Sequence, residues 1–316
     1  MKIATSTGDF GRYIDHIPDR VKEFKDTKFR YINLEQTGTA AEYLCESDNE
    51  YIKLTEKFRK AAEYANVKYV VSHAPCLNAY AKTDESHYNT VIRAIRRSIE
   101  VCHILDISRI VVHSCPVSGA TEEEFLEKNK KFYSEFFDLM EKYNIWVLTE
   151  NWDNSSHPYA TGKDLRNLVD YIDHPLLGIC WDTAHGNISP AAKKLGQYQN
   201  ILDCGDKLKG LHISDNFGDT HQHSWPFAGT INFDSVIQGL LDVNYDGFFT
   251  FEASYTLLHQ YNLPLAGYPY ERKSWEYKGE KVTKLLNPTV ELKKKAVDLL
   301  YDIGEHILKT YDCFEE

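Results

Sequence analysis

The stretch LGICWD at residues 177–182 is a short apolar run that ends in a single acidic side chain, Asp182. Three further runs share this pattern and end in one charged or metal-binding residue: IWVLTE at 145–150, LKGLH at 208–212 and FFTFE at 248–252. Such runs are typical of strands that are buried on both faces in a parallel sheet. The intervals between them leave room for a helix and two loops, so the pattern predicts consecutive βα units.

Eight strand-like runs alternate with amphipathic, helix-like segments along the chain. The predicted strands are 2–6, 31–35, 68–73, 109–113, 145–150, 177–182, 208–212 and 247–252. The predicted helices are 50–65, 88–105, 122–143, 163–172, 190–202, 233–241 and 289–311. Eight such repeats predict a (β/α)₈ TIM barrel that forms one domain over residues 1–316. A doubly wound open sheet is the alternative, but Gly8-Asp9-Phe10-Gly11 is a poor match for the glycine fingerprint of that fold.

An aromatic-rich insertion at residues 255–284 follows the eighth predicted strand. Its aromatic residues lie among prolines and charges: Tyr255, Tyr261, Tyr268, Tyr270, Trp275 and Tyr277. Because this segment follows the C-terminal end of a barrel strand, we expect it to lie as a lid over the C-terminal mouth. A subunit contact that holds no ligand is the alternative interpretation.

Composition excludes several classes of partner. The net charge of −11 counts against a nucleic-acid partner, because binding to a polyanion rests on basic patches. No apolar run approaches the roughly 20 residues of a membrane helix, and the N-terminus lacks the apolar stretch of a signal peptide. The seven cysteines form no CxxC pair and are odd in number, as is typical of a reduced compartment. We therefore expect a cytoplasmic globular protein.

Four ligand-type residues end consecutive predicted strands, and a barrel would bring them to one mouth. They are Glu150, Asp182, His212 and Glu252. Carboxylate oxygen and imidazole nitrogen are the ligands of divalent cations such as Mn, Mg, Co and Zn. A lone acid or histidine at a strand end is more often a helix cap or a packed residue. The coincidence of four favours a site for one divalent metal ion.

Several strings resemble the xylose-isomerase-like TIM-barrel superfamily, which contains sugar and sugar-phosphate isomerases and epimerases and also the type IV apurinic endonucleases. The strings are ICWDTAHGN at 179–187, LTEN at 148–151, LHISDN at 211–216 and FEA at 251–253. The resemblance implies that Glu150, Asp182, His212 and Glu252 are the metal ligands. It also implies that His185 contacts substrate, and that His73, His113 and His223 fall where the endonucleases place further zinc ligands. We count these four histidines and Asn151 as candidates for substrate binding.

The residue types fit isomerisation or epimerisation of a ketose or keto sugar by proton transfer. A divalent ion acts as a Lewis acid that stabilises the enediolate, while two carboxylates on opposite faces act as base and acid. Our hypothesis is that Glu150 removes the proton, Glu252 returns it and His185 polarises a substrate oxygen. The aromatic insertion agrees with this, since Tyr and Trp faces stack on sugar rings.

Two departures from the family pattern leave the substrate open. Epimerase relatives carry an arginine about half a dozen residues after the strand-seven histidine, whereas Asn216–Asp219 contains none. The family's Asp-x-His reads His221-Gln222-His223 in this chain, so His221 replaces the acid. Either change could mark dehydration or elimination on a keto sugar instead. No cluster of Lys, Ser and Gly marks a phosphate pocket, which favours an unphosphorylated sugar.

Two other functional classes are weighed against the isomerase. The extra histidines favour a zinc phosphodiesterase that cuts at abasic DNA sites, but the acidic charge counts against it. A non-catalytic barrel that binds a sugar or a protein is disfavoured, because Glu150 and Glu252 are both intact. The sequence leaves open whether the chain forms a homo-oligomer through the mouth or the lid.

Overall fold

Eight parallel strands form the centre of the structure, a computed structural model that describes residues 1–36, 48–152, 159–253, 258, 276–281 and 288–316. In chain order the strands are β1 Ile3–Ser6, β2 Tyr31–Glu35, β3 Lys68–His73, β4 Arg109–Val111, β5 Trp146–Glu150, β6 Leu177–Asp182, β7 Leu208–His212 and β8 Phe249–Thr250. All residues of β1 and β6 are buried, as expected for strands covered on both faces.

The strands pair in chain order around a barrel. The hydrogen-bonded order is β7-β6-β5-β4-β3-β2-β1-β8. Between β7 and β8 the main chain of Ile213 completes the circuit. Its N–H donates to Thr250 O over 2.8 Å, and its O accepts from Glu252 N–H over 3.0 Å. The prediction of a (β/α)₈ barrel is confirmed, and that of a doubly wound sheet is excluded.

Helices connect the strands and cover the outside of the barrel. They are α1 Ile17–Lys22, α2 Asp48–Ala65, α3 Glu85–Ile104, α4 Glu122–Ser134, α5 Phe137–Tyr143, α6 Gly162–Ile172, α7 Thr183–Ile188, α8 Pro190–Cys204, α9 Phe233–Asp242 and α10 Val290–Thr310. Capping boxes begin α4 at Thr121 and α6 at Thr161, where each threonine side chain binds a main-chain N–H of the first turn. None of these helices, within the described residues, is long and apolar enough to span a bilayer.

Two helical features differ from the predictions. The helix expected over 122–143 is broken at Glu135 and Phe136, and the break keeps Phe132, Phe136 and Met140 buried against the barrel. The short helix α7 was not predicted, because its six residues carry little apolar periodicity. It begins where the Asp182 side chain accepts a hydrogen bond from His185 N–H over 2.7 Å.

The core has two layers. Inside the barrel a small cluster of Val71, Val111, Leu148 and Cys180 fills the space beneath the mouth. A larger apolar layer lies between the strands and the helices and includes the fully buried Trp181 and Tyr133. The interior is therefore closed below the mouth, and polar groups are exposed to ligands at the C-terminal strand ends.

The predicted lid at 255–284 lies mostly outside the described residues. Within it the structure describes Leu258 and a hairpin of β9 Glu276–Tyr277 and β10 Glu280–Lys281. Lys278 and Gly279 turn the hairpin with positive φ values of 53° and 77°, as a tight two-residue hairpin loop requires. The lid, and a single domain over the whole chain, stay predictions.

Candidate metal centre

Four predicted ligands meet at the C-terminal mouth of the barrel. Glu150, Asp182 and His212 are the last residues of β5, β6 and β7, and Glu252 follows β8. Each offers one ligand atom, and these atoms all lie within 4.8 Å of one another. Parallel pairing explains the convergence, because Asp182 is in register with His212 and the strands all point to the same end of the barrel.

Glu150 lies at the centre of the cluster, and its two oxygens face different neighbours. Oε1 is 3.0 Å from His212 Nδ1 and 3.5 Å from His185 Nδ1. Oε2 is 3.4 Å from His73 Nε2 and also 3.4 Å from His113 Nε2. The side chain is only 1% exposed. Four histidines, from β3, from β7, from α7 and from just after β4, therefore surround one buried carboxylate.

Glu252 lies on the other side of His212. The Nδ1 atom of His212 is 3.5 Å from Glu252 Oε2, and that carboxylate is 12% exposed. His223 Nδ1 lies 4.0 Å from the same oxygen. Both glutamates thus lie within 3.5 Å of the same imidazole nitrogen, and their roles as base and acid stay a prediction.

Asn151 holds the end of β6 in place. Its Oδ1 accepts from Asp182 N–H over 2.7 Å, and its Nδ2 donates to Asp182 O over 3.0 Å. The ladder between β5 and β6 ends at the pair Glu150 and Cys180, so this side chain supplies the next two bonds. Asn151 is fully buried. Both ends of its amide bind the main chain of Asp182 in this structure, and a contact of Asn151 with substrate stays a prediction.

Three histidines have a tautomer set by the main chain. Nδ1 of His73 is 2.7 Å from Ala74 O, that of His185 is 2.8 Å from Asn151 O, and that of His223 is 2.8 Å from Glu252 O. A carbonyl oxygen only accepts hydrogen bonds, so each Nδ1 carries the proton and Nε2 is the acceptor nitrogen of the neutral ring. Carbonyl partners of this kind orient histidines that bind metals.

Burial and the charges around the site shift the pKa values of Glu150 and Glu252 in opposite directions. Burial raises the pKa of Glu252 well above its usual range, and the neighbouring Glu35 and Glu150 raise it further. Burial also raises the pKa of Glu150, but His212 and the other neighbouring histidines together outweigh burial and lower this pKa well below the usual range. Burial lowers the pKa of His113 to about 3, so that ring is neutral. Two carboxyl groups whose pKa values move apart are suited to act as base and acid.

The residue set fits a divalent cation. Asp182 Oδ2 and Glu150 Oε2 are buried and have no hydrogen-bond partner. Buried polar atoms without partners are costly, and three carboxylates in one place repel each other. A cation would satisfy these oxygens and offset the repulsion. A mixed carboxylate and imidazole set suits Mn, Co or Zn, and Mg with more of its water retained.

Two residues at the mouth, Glu35 and Cys76, were not among the site residues predicted from the sequence. Glu35 ends β2 in register with His73, and its Oε1 accepts from Ser6 Oγ over 2.5 Å. The run Tyr31–Glu35 ends in a ligand-type residue, as the runs before Glu150, Asp182, His212 and Glu252 do, so the same pattern could have predicted it.

Cys76 follows β3, and its Sγ lies within 4.8 Å of a ring nitrogen of His73 and of His113. Burial and the carboxylates of the site raise the pKa of this thiol to about 12, although the residue as a whole is exposed.

His221 replaces the expected acid and contacts the other mouth histidines. Its Nε2 is 3.0 Å from His185 Nε2. Its ring centroid is 3.8 Å from that of His223. Because His185 Nε2 is an acceptor, His221 donates the proton between them. His221 therefore donates a hydrogen bond to the His185 ring, which an ionised carboxylate at this position could not do.

An eight-stranded parallel barrel with polar side chains at the C-terminal strand ends has the architecture of the barrel enzymes. The chain belongs to the xylose isomerase-like TIM barrel family, whose sequence profile matches residues 21–271. The family resemblance found in the sequence is confirmed.

Curated relatives include probable endonucleases, sugar isomerases or epimerases, and uncharacterized proteins. A probable endonuclease 4 of Sulfurihydrogenibium sp. is 23% identical and covers 53% of this chain and 65% of that protein. An inosose isomerase of Bacillus velezensis is 21% identical and covers 69% and 76%. An uncharacterized protein of Methanocaldococcus jannaschii is 31% identical over 190 residues, which are 58% of this chain and 64% of that protein. The chain thus spans slightly less than two thirds of the archaeal protein and of the endonuclease.

Solved structures with the same fold include sugar epimerases. A D-tagatose 3-epimerase-like protein has a TM-score of 0.70 at 22% identity over 98% of this chain and 100% of the other. A D-psicose 3-epimerase with D-fructose has a TM-score of 0.68 at 14% identity over 98% and 99%. The IOLI protein with a zinc atom has a TM-score of 0.68 at 15% identity over the full length of both chains. At these identities the likeness shows the fold.

Proposed function

We propose that this protein is a divalent-metal-dependent isomerase or epimerase of a small carbohydrate that carries a carbonyl group. One observation carries the proposal. Two glutamates flank His212 Nδ1 at 3.0 and 3.5 Å, and their pKa values are moved in opposite directions. Reversible proton transfer at one carbon needs two such groups, one that accepts the proton and one that returns it.

Each side chain has a definite task in this proposal. Glu150, Asp182, His212 and Glu252 would hold the cation, which supplies a Lewis acid when bound. Glu150 removes a proton from the carbon next to the carbonyl group, and Glu252 delivers a proton. His185 donates through Nδ1 to Asn151 O over 2.8 Å, so its Nε2 would accept a hydrogen bond from a substrate hydroxyl in place of the one it accepts from His221. His73, His113 and His223 line the same mouth and are further candidates for contact with substrate.

The comparisons support the substrate class. Relatives and structural neighbours include an inosose isomerase, a ketose 3-epimerase and a D-psicose 3-epimerase. These proteins act on neutral polyhydroxy compounds according to their names. A mouth ringed by Glu35, Glu150, Asp182 and Glu252 would repel a phosphate group, so we infer that the substrate is unphosphorylated.

The direct test is proton exchange with solvent. The full chain, loaded in turn with Mn, Mg, Co and Zn, is incubated in deuterated water with D-fructose, D-tagatose, D-psicose and an inosose. We expect deuterium at the carbon next to the carbonyl of at least one compound, measured by NMR. Glu150→Gln should lower the exchange rate by about 10²–10⁴-fold. The exposed Glu63→Gln variant is the matched control and should keep the full rate. Exchange with none of the compounds, or a fully active Glu150→Gln variant, would contradict the proposal.

A zinc phosphodiesterase is the second candidate function, and a specific observation favours it. Further histidines lie next to the four-ligand set. His73 and His113 lie beside Glu150. His221 lies beside His185, and the ring of His223 packs against His221. Such histidines could hold further zinc ions for hydrolysis of a phosphodiester. Two or three zinc ions per chain together with cleavage of an abasic DNA duplex would support this candidate. The net charge of −11 counts against a DNA substrate.

A further inference from the structure

The loop after β7 carries two of the mouth histidines, and Asp215 fastens both of its ends. This residue follows the end of β7 by three positions and is fully buried. Its Oδ1 accepts hydrogen bonds from the main-chain N–H groups of Asn216 over 2.8 Å and of Ile231 over 3.1 Å. Its Oδ2 accepts from Gly229 N–H over 2.9 Å. One carboxylate therefore joins the start and the end of the loop at residues 216–231.

The main chain of Asp215 fixes the middle of the same loop. Its N–H donates to Ser224 O over 2.7 Å, and its O accepts from Ser224 N–H over 2.9 Å. His223, directly before Ser224, has a φ of 46°, a backbone conformation that residues other than glycine seldom adopt. Such a conformation persists only where the surrounding structure holds it. The two bonds at Ser224 and the three bonds of the Asp215 carboxylate supply these restraints.

Gly229 shows how closely the loop packs on Asp215. A Cβ at this position would lie 2.3 Å from Asp215 Oδ1 and 2.3 Å from Asn216 O. Contacts this short would push the main chain of residue 229 away from the carboxylate. The hydrogen bond from Gly229 N–H to Asp215 Oδ2 therefore requires a residue without a side chain.

The histidines of this loop contact two groups of the proposed reaction. His221 Nε2 is 3.0 Å from His185 Nε2, and His223 Nδ1 donates to Glu252 O over 2.8 Å. In the proposed function His185 accepts a hydrogen bond from substrate and Glu252 delivers a proton. A shift of the loop would therefore move His221 relative to His185 and break the hydrogen bond at the main chain of Glu252.

We propose that Asp215 is a positioning residue, which holds His221 and His223 at the mouth through the loop that carries them. The effect of Asp215 on turnover rests on the proposed function, whereas its effect on the position of the two histidines does not. A carboxylate suits this place because both of its oxygens accept hydrogen bonds, and the three N–H groups need acceptors on both. An asparagine offers only one acceptor oxygen.

The first test is the nitrogen-15 NMR spectrum of the imidazole groups, recorded on the full chain saturated with magnesium, which is diamagnetic. Protonated and unprotonated ring nitrogens give separate signals, so the spectrum reports the tautomer and the hydrogen bonds of each ring. Asp215→Asn replaces one acceptor oxygen by a donor. We expect altered signals of His221 and His223 in this variant, under conditions where it is folded, and an unchanged signal of His73. Unchanged signals of His221 and His223 would overturn the proposal.

Asn200→Ala is the matched control. Asn200 is buried and its side chain also makes three hydrogen bonds to the main chain, with Gly162, Ala192 and Gly196. These bonds lie between α6 and α8, outside the barrel. The control should lose stability and keep both the histidine signals and the turnover. If Asn200→Ala alters the signals of the loop histidines as Asp215→Asn does, general destabilisation explains the change and the proposal is overturned.

Turnover is the second measurement, on a carbohydrate that the wild type converts. Asp215→Asn and Gly229→Ala should each lower kcat/KM by about 10–100-fold, as is typical when the support of a site residue is lost. The double variant should lose little more than either single variant, because both substitutions break the same contact. Additive losses would overturn the proposal. A wild type that converts no carbohydrate would contradict the proposed function, and the NMR spectra would still test the role of Asp215.

Discussion

Replacement of Asn151 by alanine should both destabilise the barrel and weaken metal binding. The side chain is fully buried and makes two hydrogen bonds to the main chain of Asp182, at 2.7 and 3.0 Å. Alanine would leave the Asp182 N–H and C=O buried without these partners. A buried group that loses its hydrogen bond costs about 1–3 kcal/mol, so two such groups should lower the free energy of unfolding by roughly 2–6 kcal/mol.

The same substitution reaches the metal centre through Asp182. A ligand whose supporting hydrogen bonds are lost typically binds metal about 10–100-fold more weakly. The assay is urea unfolding of the metal-free protein, followed by titration of the folded variant with manganese. Asn151→Asp is a second variant, because it keeps the Oδ1 acceptor but places a charged oxygen against Asp182 O in place of the Nδ2 donor. It should be at least as destabilised as alanine at neutral pH, since a buried charge without a partner is costly. A loss below about 0.5 kcal/mol for Asn151→Ala, with unchanged metal affinity, would refute the role assigned to this side chain.

Three further substitutions test the packing and electrostatics of the fold. Burial lowers the pKa of Lys293 to about 8. Below this pKa the buried ammonium group is charged and lowers the free energy of unfolding, and this loss shrinks as the pH rises from about 8 towards the pKa of lysine in the unfolded chain. Lys293→Met should therefore gain up to about 3 kcal/mol at pH 7 and progressively less towards pH 10, and a gain that grows with pH in urea unfolding would contradict this. Phe227 has a φ of 74° and is 61% exposed, so Phe227→Gly should raise the free energy of unfolding by about 0.5–1 kcal/mol; a loss would show that the ring is held by contacts stronger than the strain. A Cβ at Gly186 would lie 2.5 Å from the Trp181 ring, so Gly186→Ala should destabilise by about 1–3 kcal/mol, and an unchanged thermal midpoint would count against this packing.

The C-terminal ends of these strands could be predicted, because a strand that is buried on both faces appears in the sequence as a continuous apolar run. Leu177–Asp182 and Leu208–His212 are strands with the predicted bounds, and each apolar run stops where the chain meets the polar mouth. The eighth strand, Phe249–Thr250, is shorter than predicted. On the side of β7 the chain after β8 forms only an isolated bridge, between Phe251 and Ile213, which follows the last residue of β7.

The identity of side chains that face the mouth was predictable only in part. Glu150, Asp182, His212 and Glu252 meet as the barrel requires, but whether they bind metal in this chain stays a prediction. The sequence did not predict where the Asn151 side chain points. Residues 150 and 151 are adjacent, and which of the two faces the mouth depends on where the β5–β6 hydrogen bonds end, at Glu150 and Cys180. Cys76 was overlooked because loop geometry, which sequence period does not describe, brings its thiol to His73 and His113.

The most direct test of the metal centre is the metal content of the purified full chain, measured by elemental analysis before and after reconstitution with Mn, Mg, Co and Zn. The structure predicts at least one tightly bound divalent ion per wild-type chain and a loss of that ion in His212→Gln, whose imidazole lies between Glu150 and Glu252. A wild type that retains none of the four metals, or a His212→Gln variant that binds them as tightly, would contradict the account.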